Sequence, residues 1–127
     1  MQREKPLDKL SRQRQTLREL LEDLEKAVNV AFGRAPMVKG NVYELARKCG
    51  KPTCACARGG LHRSMVLTWS HEGKSKLLSI PSGRLTELQK KSEEYLRFRE
   101  ARARVTQICK KIVEVLDRIE NLRREEP

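Results

Sequence analysis

Residues 47–62 read Arg47-Lys48-Cys49-Gly50-Lys51-Pro52-Thr53-Cys54-Ala55-Cys56-Ala57-Arg58-Gly59-Gly60-Leu61-His62. Three of the chain's four cysteines and one of its two histidines fall here, spaced C-x4-C-x-C-x5-H. Thiolate and imidazole are the usual zinc donors, and three cysteines with one histidine complete a tetrahedron that leaves no position for water. Cys49, Cys54, Cys56 and His62 are therefore the candidate ligands of a structural Zn2+, the one cofactor expected. Gly50, Pro52, Gly59 and Gly60 supply the tight turns, and Thr53, Ala55 and Ala57 are small enough for a compact knuckle. The plainer alternative is a set of free cysteines in a Gly-rich hairpin loop. A redox pair is disfavoured, because Cys54 and Cys56 stand too close in sequence for an unstrained disulfide.

On both sides of this stretch the apolar pattern has a period of two. Val42, Glu44 and Ala46 alternate with Tyr43, Leu45 and Arg47; Met65, Leu67 and Trp69 alternate with Ser64, Val66 and Thr68; Lys76, Leu78 and Ile80 alternate with Leu77 and Ser79. Three short strands follow from this pattern. His71-Glu72-Gly73-Lys74 is the hairpin turn between the second and third, with Gly73 where a positive φ is required. Pro81 ends the third strand, and Ser82 is the expected cap of the helix after it.

Further out the period becomes 3.5. Leu7, Leu10, Arg14, Leu17, Leu21, Leu24, Val28 and Ala31 recur at alternating steps of four and three, which predicts a helix from Pro6 to Phe32 stopped by Gly33 and Pro36. A second helix is predicted from about Arg84 to Arg124, with Val105, Ile108, Ile112, Val115, Ile119 and Leu122 as its stripe. Leu85, Leu88 and Tyr95 are out of phase with that stripe, so the buried face rotates near Phe98 or meets different partners along the helix. Cys109, beside the stripe, is expected to be a buried small hydrophobe. The fold class is thus α+β: a small three-stranded antiparallel sheet with the cysteine-histidine knuckle, flanked by two long amphipathic, coiled-coil-like helices. The expected division is 1–33 for the first helix, 34–83 for the basic knuckle and meander, and 84–127 for the second helix.

The chain has 127 residues, with 28 Lys and Arg against 17 Asp and Glu, a net charge of +11. Residues 34–84 carry ten basic residues against Glu44 and Glu72, so most of the excess belongs to the sheet. Such a balance selects an anionic partner. Aromatics are 4% of the chain, too few for a stacking platform on a single strand, although Tyr43 and Trp69 could each contact one base. No Gly-rich phosphate loop, nucleophile elbow or isolated acidic pair is found, so no enzyme is expected. The first residues are charged where a secretory signal would be apolar, and the longest apolar run is four residues, Cys54 to Ala57. A cytoplasmic location follows, nucleoid-associated if DNA is the ligand, with no membrane partner.

The stretch from Arg47 to His62 resembles the signature of an uncharacterised bacterial family often met near mobile elements, whose core is K-C-G-K-P-x-C-x-C. Gly73-Lys74, Ile80-Pro81 and Tyr95-Leu96-Arg97-Phe98-Arg99 follow in the family's order, so the resemblance covers roughly Val38 to Val105. After His62 the sequence Arg63-Ser64-Met65 replaces the family's Gly-Pro-aromatic step. The resemblance supports the metal knuckle and carries no activity with it.

The leading expectation is a nucleic-acid-binding accessory or regulatory protein, with double-stranded DNA favoured over RNA, acting as a zinc-stabilised homodimer. A small sheet can enter the major groove while loop cations hold phosphates. Lys48, Lys51, Arg58, Arg63, Lys74 and Lys76 are the candidate contacts, with Arg63 or Arg58 best suited to grip a guanine edge through two hydrogen bonds. The alternative is a coiled-coil adaptor or assembly subunit that docks onto a larger nucleoprotein or RNA-containing complex, in which the helical stripes matter more than the arginines.

Overall fold

A computed structural model of the chain describes residues 5–48, 50–54 and 59–127. Its elements in chain order are α1 (Pro6–Ala31), β1 (Asn41–Arg47), β2 (His62–His71), β3 (Lys74–Ser79), a short 3-10 turn (Ser82–Arg84) and α2 (Leu85–Arg123). The described chain is α+β, with one antiparallel sheet in the order β1-β2-β3. It forms two units: a helical unit containing the chain up to Gly33 and from Arg97 onward, and a sheet unit spanning Arg34–Leu96. The boundary therefore falls inside the 39-residue α2.

In the sheet unit the register places Val42 beside Leu67 and Leu67 beside Leu78. Strand alternation puts Met65, Leu67 and Trp69 on that same face, where each is at least half covered. In the first part of α2 the buried residues are Leu88 and Ser92. Two bonds fix the chain leading into β1 against α2: the Ser92 hydroxyl donates to the Gly40 carbonyl at 2.6 Å, and the Val38 N–H donates to the Lys91 carbonyl at 3.0 Å. Ser92 is thereby a satisfied buried polar group. Gly40 has no room for a side chain, since a Cβ would lie 2.8 Å from Leu67 Cδ1 and 2.9 Å from the Thr68 carbonyl oxygen.

The turn joining β2 and β3 has positive φ at both central residues, 50° at Glu72 and 78° at Gly73. This is the geometry that suits the strands' right-handed twist. The sequence pointed to Gly73; Glu72 shares the left-handed conformation although it is not a glycine. Ser82 is not the expected cap. It lies inside the 3-10 turn, which starts after Pro81 and has no side-chain cap.

In the helical unit, α1 begins with Pro6 in its first turn, where a missing N–H costs nothing. It ends as the Phe32 N–H bonds back to the Val28 and Asn29 carbonyls. Its buried and half-buried residues are Leu10, Gln13, Thr16, Leu17, Leu20, Asp23, Leu24, Ala27, Val28 and Ala31, whereas Leu7, Arg14 and Leu21 are exposed. The stripe is thus rotated from the expected one: Gln13 and Leu20 replace Arg14 and Leu21, and Ala27 is buried more deeply than the half-buried Val28. On α2 the covered stripe is Phe98, Ala101, Val105, Ile108, Ile112, Val115, Ile119 and Leu122, which contains the expected set. Upstream, covered positions pass through Ser92, Tyr95, Phe98 and Ala101 in three successive steps of three. That run swings the buried face around α2 close to the boundary at Leu96, as the phase break near Phe98 required.

Arg118 Nε donates to Gln13 Oε1 at 3.0 Å, and Lys9, Arg12, Arg118 and Asn121 share one surface hollow. The start of α1 therefore lies beside the end of α2. Only an antiparallel pairing then covers α1 as far as Ala27 and Ala31. Cys109 is exposed, contrary to expectation, because one residue past buried Ile108 the helix has turned about 100°. Among the described residues no helix is long and apolar enough to cross a membrane.

Candidate metal knuckle and nucleic-acid interface

The β1–β2 register brings Arg47 opposite His62, so the two ends of the knuckle loop meet at one edge of the ladder. From there Cys54 returns to the sheet, and its Sγ lies 3.1 Å from His62 Nε2. Two ligands on one tetrahedral zinc would stand about 3.6 Å apart. The observed pair is within about half an ångström of that separation, so Cys54 and His62 fit a shared metal. Gly50 and Gly59, with φ of 81° and 114°, are the two positions where the loop needs a backbone that side chains rarely adopt. Cys49 and Cys56, the other two candidate ligands, and Arg58 lie outside the described residues. Among the described residues there is no group of three or more potential metal ligands.

Around this pair is an open hollow of about 570 Å³, lined by Arg47, Lys48, Lys51, Cys54, His62 and Ser64. Among the described residues three cations line the hollow around the cysteine–histidine pair, and no acidic side chain does. Arg47 was not among the expected contacts. Its pairing with His62 puts it on the same sheet face, a placement that needs the register of two strands separated by a 14-residue loop.

The remaining expected contacts are elsewhere. By strand parity Arg63, Lys74 and Lys76 belong to the face that carries Leu67 and Trp69, with Lys76 beside Trp69 and Lys74 beside His71 in the ladder. Arg63 Nη1 donates to Glu44 Oε1 at 3.0 Å across the β1–β2 pair, so grasping a base edge would first require breaking that ion pair. Both side chains are largely exposed, and such a pair contributes about 0–1 kcal/mol. The structure therefore joins Lys48 and Lys51 to the knuckle pair, whereas Arg63, Lys74 and Lys76 are not among the residues that line that hollow.

The face shared with the hollow carries polar groups around the buried Val66. A second shallow groove is lined by Asn41, Tyr43, Thr68, Ser70, Ser75 and the exposed Leu77 together with Trp69 and Lys76. Sequence alternation separates these hydroxyl and amide groups from the apolar row, but their adjacency across three strands depends on the register, which no single strand carries. Glu87, in the first turn of α2, is the titratable group whose environment is clearly altered. A 2.8 Å hydrogen bond from Lys91, its charge, and Arg84 hold the carboxyl below its usual range.

No curated protein and no solved structure matches the chain. Residues 7–90 match the family described as Domain of unknown function (DUF6788), a span that includes α1, the whole sheet and the start of α2. With two thirds of its length matched, the chain belongs to this uncharacterised family.

Proposed function

We propose that the protein binds nucleic acid, with double-stranded DNA favoured over RNA, through the shallow groove of its sheet and the basic hollow at the knuckle. The observation that carries this reading is the hollow itself: Arg47, Lys48 and Lys51 converge beside the Cys54–His62 pair with no acidic group among the described residues that line the space. Cations gathered without neutralising partners suit phosphates, which also reward them by releasing counterions. The adjoining groove offers Asn41, Thr68, Ser70 and Ser75, whose amide and hydroxyls can exchange hydrogen bonds with base edges in a major groove. This division gives the hollow the task of positioning and the groove that of reading. Arg63 and Lys74 then contribute less than their charge suggests, because strand parity puts them on the other face, whereas Lys76 borders the groove.

A structural Zn2+ held by Cys49, Cys54, Cys56 and His62 would lock the hollow's rim in place. With all four positions taken by protein, it would hold shape and activate no water. The short Cys54–His62 distance supports that reading.

The test is an anisotropy titration of labelled duplex, single strand and hairpin RNA across a range of salt. Removing Arg47, Lys48 and Lys51 together should flatten the slope of log K against log salt by about 2.7, from the release of about three counterions. Removing Lys74 and Lys76 should change it less. Unchanged duplex binding by the triple variant, with its circular dichroism intact, would sink the proposal.

A further inference from the structure

In an antiparallel helix pair, residues just past the buried stripe turn to the same side from both helices, because reversing a helix reverses its sense of rotation in a fixed view. In the helical unit that side receives Leu7, Arg14, Leu21 and Val28 from α1 and Arg102, Cys109, Val113, Leu116 and Glu120 from α2, so apolar residues hold its middle and charges its margins. Four of the apolar residues are conspicuously open: Leu7 is 75% exposed, Leu21 50%, Val113 56% and Leu116 48%. The other side has a different character, with Arg104, Lys111 and Arg118 in a row on α2 and the polar hollow around Arg12 and Asn121. Below them the core is thin: Ala27, Ala101, Ile108 and Val115 are the fully buried apolar residues of this unit.

We infer that the apolar side of this helical hairpin docks on the same side of a second copy of the chain, closing a four-helix bundle. The area is right for a stable dimer. The 26-residue α1 is about 39 Å long, and two helices side by side are about 20 Å wide, which offers about 800 Å² per copy, the amount a standard interface buries on each partner. The charges are also self-complementary. Arg18 and Glu25 flank Leu21 at three and four residues on α1, both exposed and both at the rim of the apolar side. A two-fold axis near Leu21 brings Arg18 of one copy to Glu25 of the other, and the same pair forms again by symmetry. An apolar ligand or an unrelated protein would have no reason to match that spacing twice. The inference stands whether or not the sheet binds nucleic acid.

Sedimentation velocity on the full chain tests it without nucleic acid present. The expected species has twice the 14.7 kDa chain mass, and Leu21→Glu or Leu116→Glu should convert it to monomer. Because those changes could also disturb the helices, a charge exchange supplies the second arm. Arg18→Glu or Glu25→Arg alone should weaken association about tenfold by placing like charges together twice, and the double exchange should restore it. A monomeric wild type at 100 µM would overturn the inference, as would a dimer indifferent to both leucine variants. Failure of the double exchange to restore the dimer would overturn it as well.

Discussion

Val66 and Leu67 are neighbours on β2 that point to opposite faces of the sheet, and both are buried. The helical unit instead confines its buried residues, Ala27, Ala101, Ile108 and Val115, to one seam. Strand alternation divides the sheet's apolar material between two surfaces, so neither is thick and each depends on what lies over it. The seam concentrates its apolar material and leaves its flanks open. A sheet made this way gains from a covalent or metal staple at its loops, while a seam gains from more helix. The two additions argued above, a metal at the knuckle and a second copy at the helices, answer these separate needs.

The sharpest way to break the comparison is to remove the metal. Chelation, or Cys54→Ser, should release amide protection throughout β1 to β3, because the free energy of metal binding is then folding free energy for the sheet. Protection in the α2 stripe from Ala101 to Leu122 should survive. Hydrogen exchange followed by mass spectrometry reads both at once, and equal loss in strands and helices would show that the units do not depend on different supports.

Next in size is a matched pair of substitutions. Ile108→Ala leaves a void in the helical seam and should cost about 2–5 kcal/mol. Gly40→Ala adds a methyl group where Leu67 and the Thr68 carbonyl already stand, and should cost the sheet about 1–3 kcal/mol. Denaturant melts monitored by exchange would assign each loss to its unit. A harmless Gly40→Ala would mean the chain before β1 can move away from β2, and the tie through Ser92 would lose its importance.

The smallest effect belongs to Glu87. Its carboxyl ionises more readily in the fold than its usual value of 4.5, so its contribution is present above that value and is lost as pH falls through the lower folded-state value. Replacing it with Gln should reduce the loss of stability on acidification below about pH 4.5, measured by urea midpoints of the two proteins. An identical acid profile would show that the Lys91 and Arg84 contacts are too screened to matter.

Much of this architecture could be read from the residues, and the failures have local causes. The change from period 3.5 to period 2 gave the elements and their order, and Gly73 marked the hairpin. The phase of α1 was misread because three of its heptad rows are largely apolar. One contains Leu10, Leu17 and Leu24; the flanking rows contain Leu20 with Ala27, and Leu7 with Leu21. Spacing alone cannot say which flank enters the seam, and the structure admits Gln13 while leaving Leu21 outside. At the candidate site, the spacing of Cys54 and His62 anticipated their meeting. The separation of Lys48 and Lys51 from Arg63, Lys74 and Lys76 was hidden in strand parity, since a count of charge along the chain has no faces.

Trp69 is the only tryptophan, and it sits half-buried on the apolar face of β2. Nearly all the helical backbone lies in α1 and α2, and most of that is in the other unit. The molecule therefore carries an intrinsic optical label for one of its halves. Indole emission responds to the sheet, ellipticity at 222 nm responds mainly to the helices, and the coincidence or separation of the two signals during a melt reads the coupling between them from a single unlabelled sample.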